Sequence, residues 1–145
     1  METTHPYLSA FRGDFHGVLR WPQLDTLWRR LSAEPQQQWY IYAVGESPPE
    51  TPATHTQLRD FIAEIDALLR REHAEDYCGV VYADHFDKPR LIKIFDPNNL
   101  GVACGFSDNP PLPAWVLSIE TPIDLPLATA PPKNRRRWWQ KIFTH

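Results

Sequence analysis

A chain of 145 residues, 42% of them hydrophobic and 23% charged, has the composition of one ordinary globular domain. No apolar run approaches the roughly 20 residues that a membrane span needs, and METTHPYLSAFRGD lacks the basic start and apolar stretch of a secretory signal, so we expect neither. Two cysteines are too few for a disulfide scaffold, which favours a cytoplasmic protein with reduced thiols.

Charge is distributed unevenly along the chain. The net charge is −3, but the segment from Lys133 to the end contains five Lys or Arg residues and no acids. Residues 1–132 therefore hold 10 bases against 18 acids, a net charge of −8. An acidic body argues against nucleic-acid binding by the domain itself.

The first part of the chain contains the signals for two helices. The segment 4–6 can begin a short helix that ends near Phe11. Between Pro22 and Pro35, apolar residues recur at helical spacing and predict a second helix; they are Leu24, Leu27, Trp28 and Leu31.

A third helix and four strands follow. The helix, at about 56–72, has one apolar stripe, and Thr54 with Gln57 fits a capping box at its start. The strands are predicted for four β-rich segments, WYIYAV at 39–44, YCGVVYA at 77–83, RLIKIF at 90–95 and WVLSI at 115–119. The turn-rich DHFDKP at 84–89 joins the second and third strands in a hairpin, in which paired residue numbers sum to about 173–175.

These elements predict an α+β fold, with an antiparallel or mixed sheet of about four strands and two to three helices on one face. We assign residues 1–122 to a single domain. Residues 123–145 are expected to be a flexible Pro-rich linker followed by a basic aromatic tail.

The segment FDPNNLGVACGFSDNPP, at 95–111, is a candidate functional loop. Asp96, Asn98 and Asn99 carry oxygen ligands that suit a hard cation, and DPNNLG begins like an EF-hand loop. Leu100 and Ser107, however, occupy positions where that loop needs ligands. Because Asp-Pro-Asn-Asn also forms turns without an ion, we favour a turn and expect no metal.

Cys104, in the same loop, is a candidate nucleophile. A reactive thiol needs a histidine or a helix N-terminus to lower its pKa, and the Pro-rich FSDNPPLP after it cannot begin a helix. We therefore expect an ordinary thiol at Cys104 and a core side chain at Cys78. The common catalytic, nucleotide-binding and zinc motifs do not occur in the sequence, so no catalytic residue and no cofactor is predicted.

The strand at 39–44 has apolar or aromatic side chains on both faces. Two long helices can cover one face of a sheet more easily than they can cover both faces. We therefore hypothesise that a face carrying Tyr40 or Tyr42, together with Tyr82, is partly exposed and binds a partner. In the alternative, which carries equal weight, the N-terminal segment and the 46–55 loop cover these tyrosines.

The tail KNRRRWWQKIFTH has an apolar side on a helical wheel, formed by Trp138, Trp139, Ile142 and Phe143. Thirteen residues are too few for a stable lone helix in water, so we expect another surface to cover these side chains. Protein, either the acidic body or a partner, ranks first because of its complementary charge. An anionic membrane surface ranks second and nucleic acid third.

Two segments, HPYL…RGDFHGVLRW and IKIFDPNNLGVACG, resemble those of an uncharacterised proteobacterial family of small proteins. The resemblance covers roughly residues 5–125. It implies a bacterial, cytoplasmic setting and attaches no activity, fold or ligand.

Three functions are compatible with these observations. A non-enzymatic protein-interaction module ranks first, because it requires no catalytic constellation that the sequence fails to show. The alternatives are a small thiol enzyme or redox protein that uses Cys104, and a peripheral adaptor that binds an anionic membrane or nucleic acid through the basic tail.

Overall fold

The computed structural model describes residues 5–18, 20–72, 78–97 and 112–128, and within them the chain forms four helices and five strands. In chain order these are α1 (Pro6–Phe11), β1 (His16–Gly17), α2 (Trp21–Ala33), β2 (Tyr40–Ala43), α3 (His55–Glu72), β3 (Val81–Ala83), β4 (Leu91–Ile94), β5 (Trp115–Ser118) and α4 (Leu125–Ala128). The predicted α+β class is confirmed. Of the helices in these ranges, none is long and apolar enough to cross a membrane.

The strands form one antiparallel sheet in the order β1-β3-β4-β5-β2. The β3–β4 hairpin has the predicted register, since Val81 lies opposite Ile94 and Ala83 opposite Ile92. In its turn, one carboxylate oxygen of Asp84 accepts hydrogen bonds from three backbone N–H groups, at 2.9, 3.0 and 3.2 Å. The fifth strand, β1, was not predicted, because two residues are too few to show an alternating pattern.

The two long helices begin at their predicted start signals. At α3, the Thr54 N–H donates to Gln57 Oε1 at 2.8 Å, and the Gln57 N–H donates to Thr54 Oγ1 at 3.1 Å, which completes the capping box. At α2, the Arg20 N–H donates to Gln23 Oε1 at 2.9 Å, and Pro22 lies in the first turn.

One face of the sheet, which we call the first face, is covered by α2 and α3. Alternate strand residues such as Val81, Ile92 and Leu117 meet the apolar stripes of both helices. The helix residues buried in this first core are Leu24, Leu27, Trp28, Leu31, Leu58, Ile62, Ile65 and Leu69. Cys78 is fully buried in the same core, as predicted.

The opposite, second face is covered by the short helices α1 and α4, so the helices are not confined to one face as expected. The side chains buried in this second core are Tyr7, Phe11, Tyr42, Leu91, Val116 and Leu125. Ordered structure therefore continues past residue 122, the expected end of the domain. The signal for α4 was absent because LPLA contains a proline and has only four residues, and its place is set by packing rather than by helix propensity.

Candidate functional site

A lysine occupies the middle of the central strand of the sheet. In β4, Ile92 and Ile94 are buried in the first core, so the residue between them, Lys93, points to the second face. The ammonium nitrogen of Lys93 lies 4.0 Å from the ring centroid of Phe11 and 3.9 Å from that of Phe15. Both rings are close enough for a cation–π interaction.

The N-terminal segment brings both rings to this lysine. Phe11 is the last residue of α1, and the Gly13 N–H donates to the Ala10 carbonyl at 3.2 Å just after the helix ends. Phe15 then precedes β1, which pairs with β3, the neighbour of β4 in the sheet. A six-residue helix and a two-residue edge strand thus position two aromatic side chains on one cation.

Burial lowers the pKa of Lys93 from 10.5 to about 8, because the partly buried ammonium loses hydration. Each ring face favours the cation by about 0.5–1 kcal/mol and offsets part of this loss. Among the described residues, no carboxylate lies within 4.0 Å of the ammonium. Lys93 therefore carries a positive charge with aromatic neighbours and, in this part of the protein, without a counterion.

Tyr82 extends the aromatic area toward the edge of the sheet. It lies opposite Lys93 on β4 and opposite Gly17 on β1. A Cβ atom at Gly17 would be only 3.2 Å from Tyr82 Cε2, so the glycine leaves room for the tyrosine ring. The ring also meets Phe95 edge to face, with centroids 5.7 Å apart.

We call Phe11, Phe15, Tyr82, Lys93 and Phe95 the lysine–aromatic surface. All of them except Phe11, which is buried, are partly exposed. Partly exposed aromatic side chains gathered around one charged group are typical of binding surfaces. This surface is our candidate functional site.

The tyrosines that were predicted to bind a partner have different surroundings. Tyr42 is fully buried in the second core, and its hydroxyl oxygen accepts a hydrogen bond from the Leu125 N–H at 3.1 Å. The prediction for Tyr42 is therefore wrong: the N-terminal helix and α4 cover it, so it cannot touch a partner. Tyr40 and Tyr82 are partly exposed, and a binding role for them stays a prediction.

Tyr7 contributes a second buried hydroxyl to this core. Among the described residues, that hydroxyl has no hydrogen-bond partner. Burial raises the pKa of both phenols, and the proximity of Tyr42 raises that of Tyr7 further. Both tyrosines therefore remain neutral, and their role is to pack in the second core.

The other predicted site residues are only partly within the described ranges. Asp96 lies just after β4 and is partly buried. Asn98, Asn99 and Cys104 lie outside the described residues, as do the apolar residues of the tail, Trp138, Trp139, Ile142 and Phe143. Their predicted roles stay predictions. In the ranges that the structure describes, no three potential metal ligands cluster together.

Cys78 is the cysteine that the described residues include. It is fully buried in the first core, and burial raises the pKa of its thiol. A thiol that is buried and protonated is a poor nucleophile. Cys78 therefore has the structural role that the sequence predicted.

A cleft of about 390 Å³ lies between the β3–β4 turn, the end of α2 and Trp39. The arginines that line it are already paired, Arg30 with Asp87 at 3.5 Å and Arg90 with Glu120 at 3.0 Å. Exposed ion pairs of this kind contribute about 0–1 kcal/mol. Because both arginines already have carboxylate neighbours, we assign no charged ligand to this cleft.

Sequence reasoning missed Lys93, Phe11 and Phe15 as candidate site residues. One signal for Lys93 was present in RLIKIF, where a lysine interrupts an otherwise apolar strand. A charge inside such a strand is unfavourable unless a neighbour compensates it. The approach of Phe11 and Phe15, by contrast, depends on the path of the chain between α1 and β1.

Comparisons with protein-family models, with curated proteins and with solved structures found no match to this chain.

Proposed function

We propose that this protein is a non-enzymatic protein-interaction module that binds a partner protein through the lysine–aromatic surface. The observation that carries the proposal is the ammonium of Lys93, which lies 3.9 and 4.0 Å from two ring centroids and has no carboxylate within 4.0 Å in the described part of the chain. A carboxylate of the partner would supply the countercharge. The partly exposed rings of Phe15 and Tyr82 would supply the apolar contact around it.

The chemistry of this surface fits recognition better than catalysis. Protein interfaces are enriched in aromatic side chains, and a charge at their centre needs a well-placed partner. A catalytic amine would instead need a positioned acid or base within hydrogen-bond reach. No described residue makes a hydrogen bond to the Lys93 ammonium, so this part of the chain offers no such group there.

The bacterial and cytoplasmic setting expected from the sequence forms part of this proposal. The two alternative functions, a thiol enzyme using Cys104 and an adaptor using the basic tail, depend on residues outside the described ranges. No described contact favours either of them.

Affinity capture from a bacterial lysate, with the full chain immobilised, tests the proposal. Lys93→Gln removes the charge, and Tyr82→Ser removes a partly exposed ring. We expect at least one protein to be captured by the wild type and to be depleted about tenfold by either substitution, which corresponds to roughly 1.4 kcal/mol of binding free energy. Arg71→Gln, at an exposed position on α3, is the matched control and should leave capture unchanged.

The pH dependence of capture distinguishes this surface from a general aromatic patch. A partner carboxylate binds the protonated amine, so capture should weaken as the pH rises above about 8, the pKa of free Lys93. The Lys93→Gln variant should lack this decline. The proposal is wrong if every captured protein is retained equally by the wild type and both surface variants, provided that circular dichroism shows all of them to be folded.

A further inference from the structure

The helices α2 and α3 lie side by side over the first face and run in opposite directions. Where α2 begins and α3 ends, Arg70 Nη2 donates to Asp25 Oδ1 at 2.7 Å, and Arg70 Nε donates to Asp66 Oδ2 at 3.0 Å. Trp28 Nε1 donates to the same Asp66 carboxylate at 3.1 Å. At this end of the helix pair, the cation therefore lies between two carboxylates.

The opposite end, where α2 ends and α3 begins, has a cleft of about 280 Å³ lined by Trp28, Arg29, Ser32, His55 and Arg59. Every polar side chain in that lining can donate a hydrogen bond, and none of the five carries a negative charge. Arg29 and Arg59 form no ion pair with any described residue. This basic cleft occurs in a protein whose net charge is −3.

The direction of each helix affects the stability of the positive charges of Arg29 and Arg59, because the C-terminus of a helix favours a cation. Arg29 lies toward the C-terminus of α2, where a cation is favoured, and its guanidinium donates to Thr26 Oγ1 at 3.1 Å. No comparable contact or helix end stabilises the charge of Arg59 among the described residues. Arg59 lies one turn after His55, the first residue of the 18-residue α3, near the helix end that does not favour a cation.

We propose that this cleft binds a phosphate group, either inorganic phosphate or the phosphate of a small molecule. Two guanidinium groups offer the forked N–H donors that match phosphate oxygens, and Ser32 and His55 add further donors. Pockets for drug-sized ligands measure roughly 300–1,000 Å³, so a cleft of about 280 Å³ suits a phosphate with little attached to it. The site shares no residue with the lysine–aromatic surface and is independent of the proposed function.

Thermal unfolding of the full chain in millimolar inorganic phosphate, at an ionic strength held constant with chloride, tests the proposal. We expect the Tm of the wild type to rise with phosphate in a saturable way, because a ligand that binds only the folded state stabilises it. The double variant Arg29→Gln, Arg59→Gln should lose this rise. Arg12→Gln, the same change at an exposed arginine outside the cleft, should keep it.

Two results would overturn the proposal. One is the absence of a phosphate-dependent rise in the wild type. The other is an equal rise in the wild type and the double variant, since the ion would then act on the surface in general. Without phosphate, the double variant should melt close to the wild type, because Arg29 and Arg59 form no ion pair with any described residue.

Calorimetric titration provides a measurement that does not depend on the double variant. Arg59→Lys keeps the charge but removes the fork, and should weaken phosphate binding by about tenfold; unchanged affinity would count against the assigned site. Titration with glycerol phosphate beside inorganic phosphate separates the two sources. Tighter binding of the ester identifies a phosphorylated small molecule, and equal or weaker binding identifies the free ion.

Discussion

The two faces of the sheet are packed in different ways. The first face lies under two helices of 13 and 18 residues, and the side chains that it buries are mainly aliphatic. The second face lies under helices of six and four residues, and its buried or half-buried groups include two tyrosine hydroxyls and the Lys93 ammonium. The comparison indicates that the first face provides most of the stability, while the second also carries the partly exposed surface that we propose for binding.

The polar groups on the second face differ in whether they have a hydrogen-bond partner. Ser118 is fully buried, and its hydroxyl donates to the Glu120 carbonyl at 2.7 Å. Tyr42 accepts a hydrogen bond from the start of α4. Tyr7 and Lys93 lack comparable partners among the described residues. Substitutions of polar groups that have hydrogen-bond partners, and of polar groups that lack them, therefore test the comparison between the two faces.

The largest effect is expected in the first core. Leu69→Ala, at a fully buried position of α3, should lower the free energy of unfolding by about 3 kcal/mol, because it removes buried apolar surface and leaves a cavity. Leu127→Ala, on α4 where the side chain is 68% exposed, is the matched control and should change it by less than about 0.5 kcal/mol. Urea unfolding of both variants measures the difference. A loss in Leu69→Ala as small as that in Leu127→Ala would contradict the contribution to stability that we assign to the first core.

A smaller and opposite effect is expected at Lys93. Replacement by Met keeps the length of the side chain and removes a charge that is partly desolvated, so Lys93→Met should raise the free energy of unfolding by about 1 kcal/mol near neutral pH. Lys88→Met, in the exposed hairpin turn, is the control and should have an effect within about 0.5 kcal/mol.

The sign of the pH dependence makes this prediction sharper. The pKa of Lys93 falls from 10.5 in the unfolded chain to about 8 in the folded protein, so the unfavourable contribution is complete below pH 8 and disappears as the pH rises toward 10.5. Over that range the wild type should gain stability relative to Lys93→Met. A difference between the two proteins that stays constant with pH would show that desolvation of the charge is not its cause.

The smallest effects are expected from one substitution made at two tyrosines of the second core. Tyr42→Phe removes the acceptor of the Leu125 N–H and should cost about 1 kcal/mol. Tyr7→Phe removes a buried hydroxyl without a described partner and should be neutral or stabilising by up to about 1 kcal/mol. Thermal unfolding of the two variants measures this difference. A loss of stability in Tyr7→Phe would show that the Tyr7 hydroxyl has a hydrogen-bond partner.

Local signals account for the elements that sequence analysis predicted correctly. The capping box of Thr54 and Gln57, the apolar stripes of α2 and α3, and the turn-rich DHFDKP act within a few residues of themselves. Such patterns specify helices, strands and hairpin register without reference to the rest of the chain. They also identified Cys78 as a core residue and led to the correct α+β class.

Long-range packing decided the parts that sequence analysis did not predict. Nothing near Tyr42 in the sequence indicates that Leu125, 83 residues later, will donate to its hydroxyl and bury it. The approach of Phe11 and Phe15 to Lys93 likewise joins positions about 80 residues apart. Periodicity assigns a side chain to a face of a strand, but it cannot say which distant segment will cover that face.

The sequence by itself determined the long helices α2 and α3 and the strands β2 to β5, because repeated apolar spacing favours burial whatever the partner is. Only the tertiary structure decided which residues meet on the second face and where the basic cleft between α2 and α3 lies. The physical reason is that α1, α4 and β1 are too short to be stable alone, so their positions depend on the surfaces that they cover.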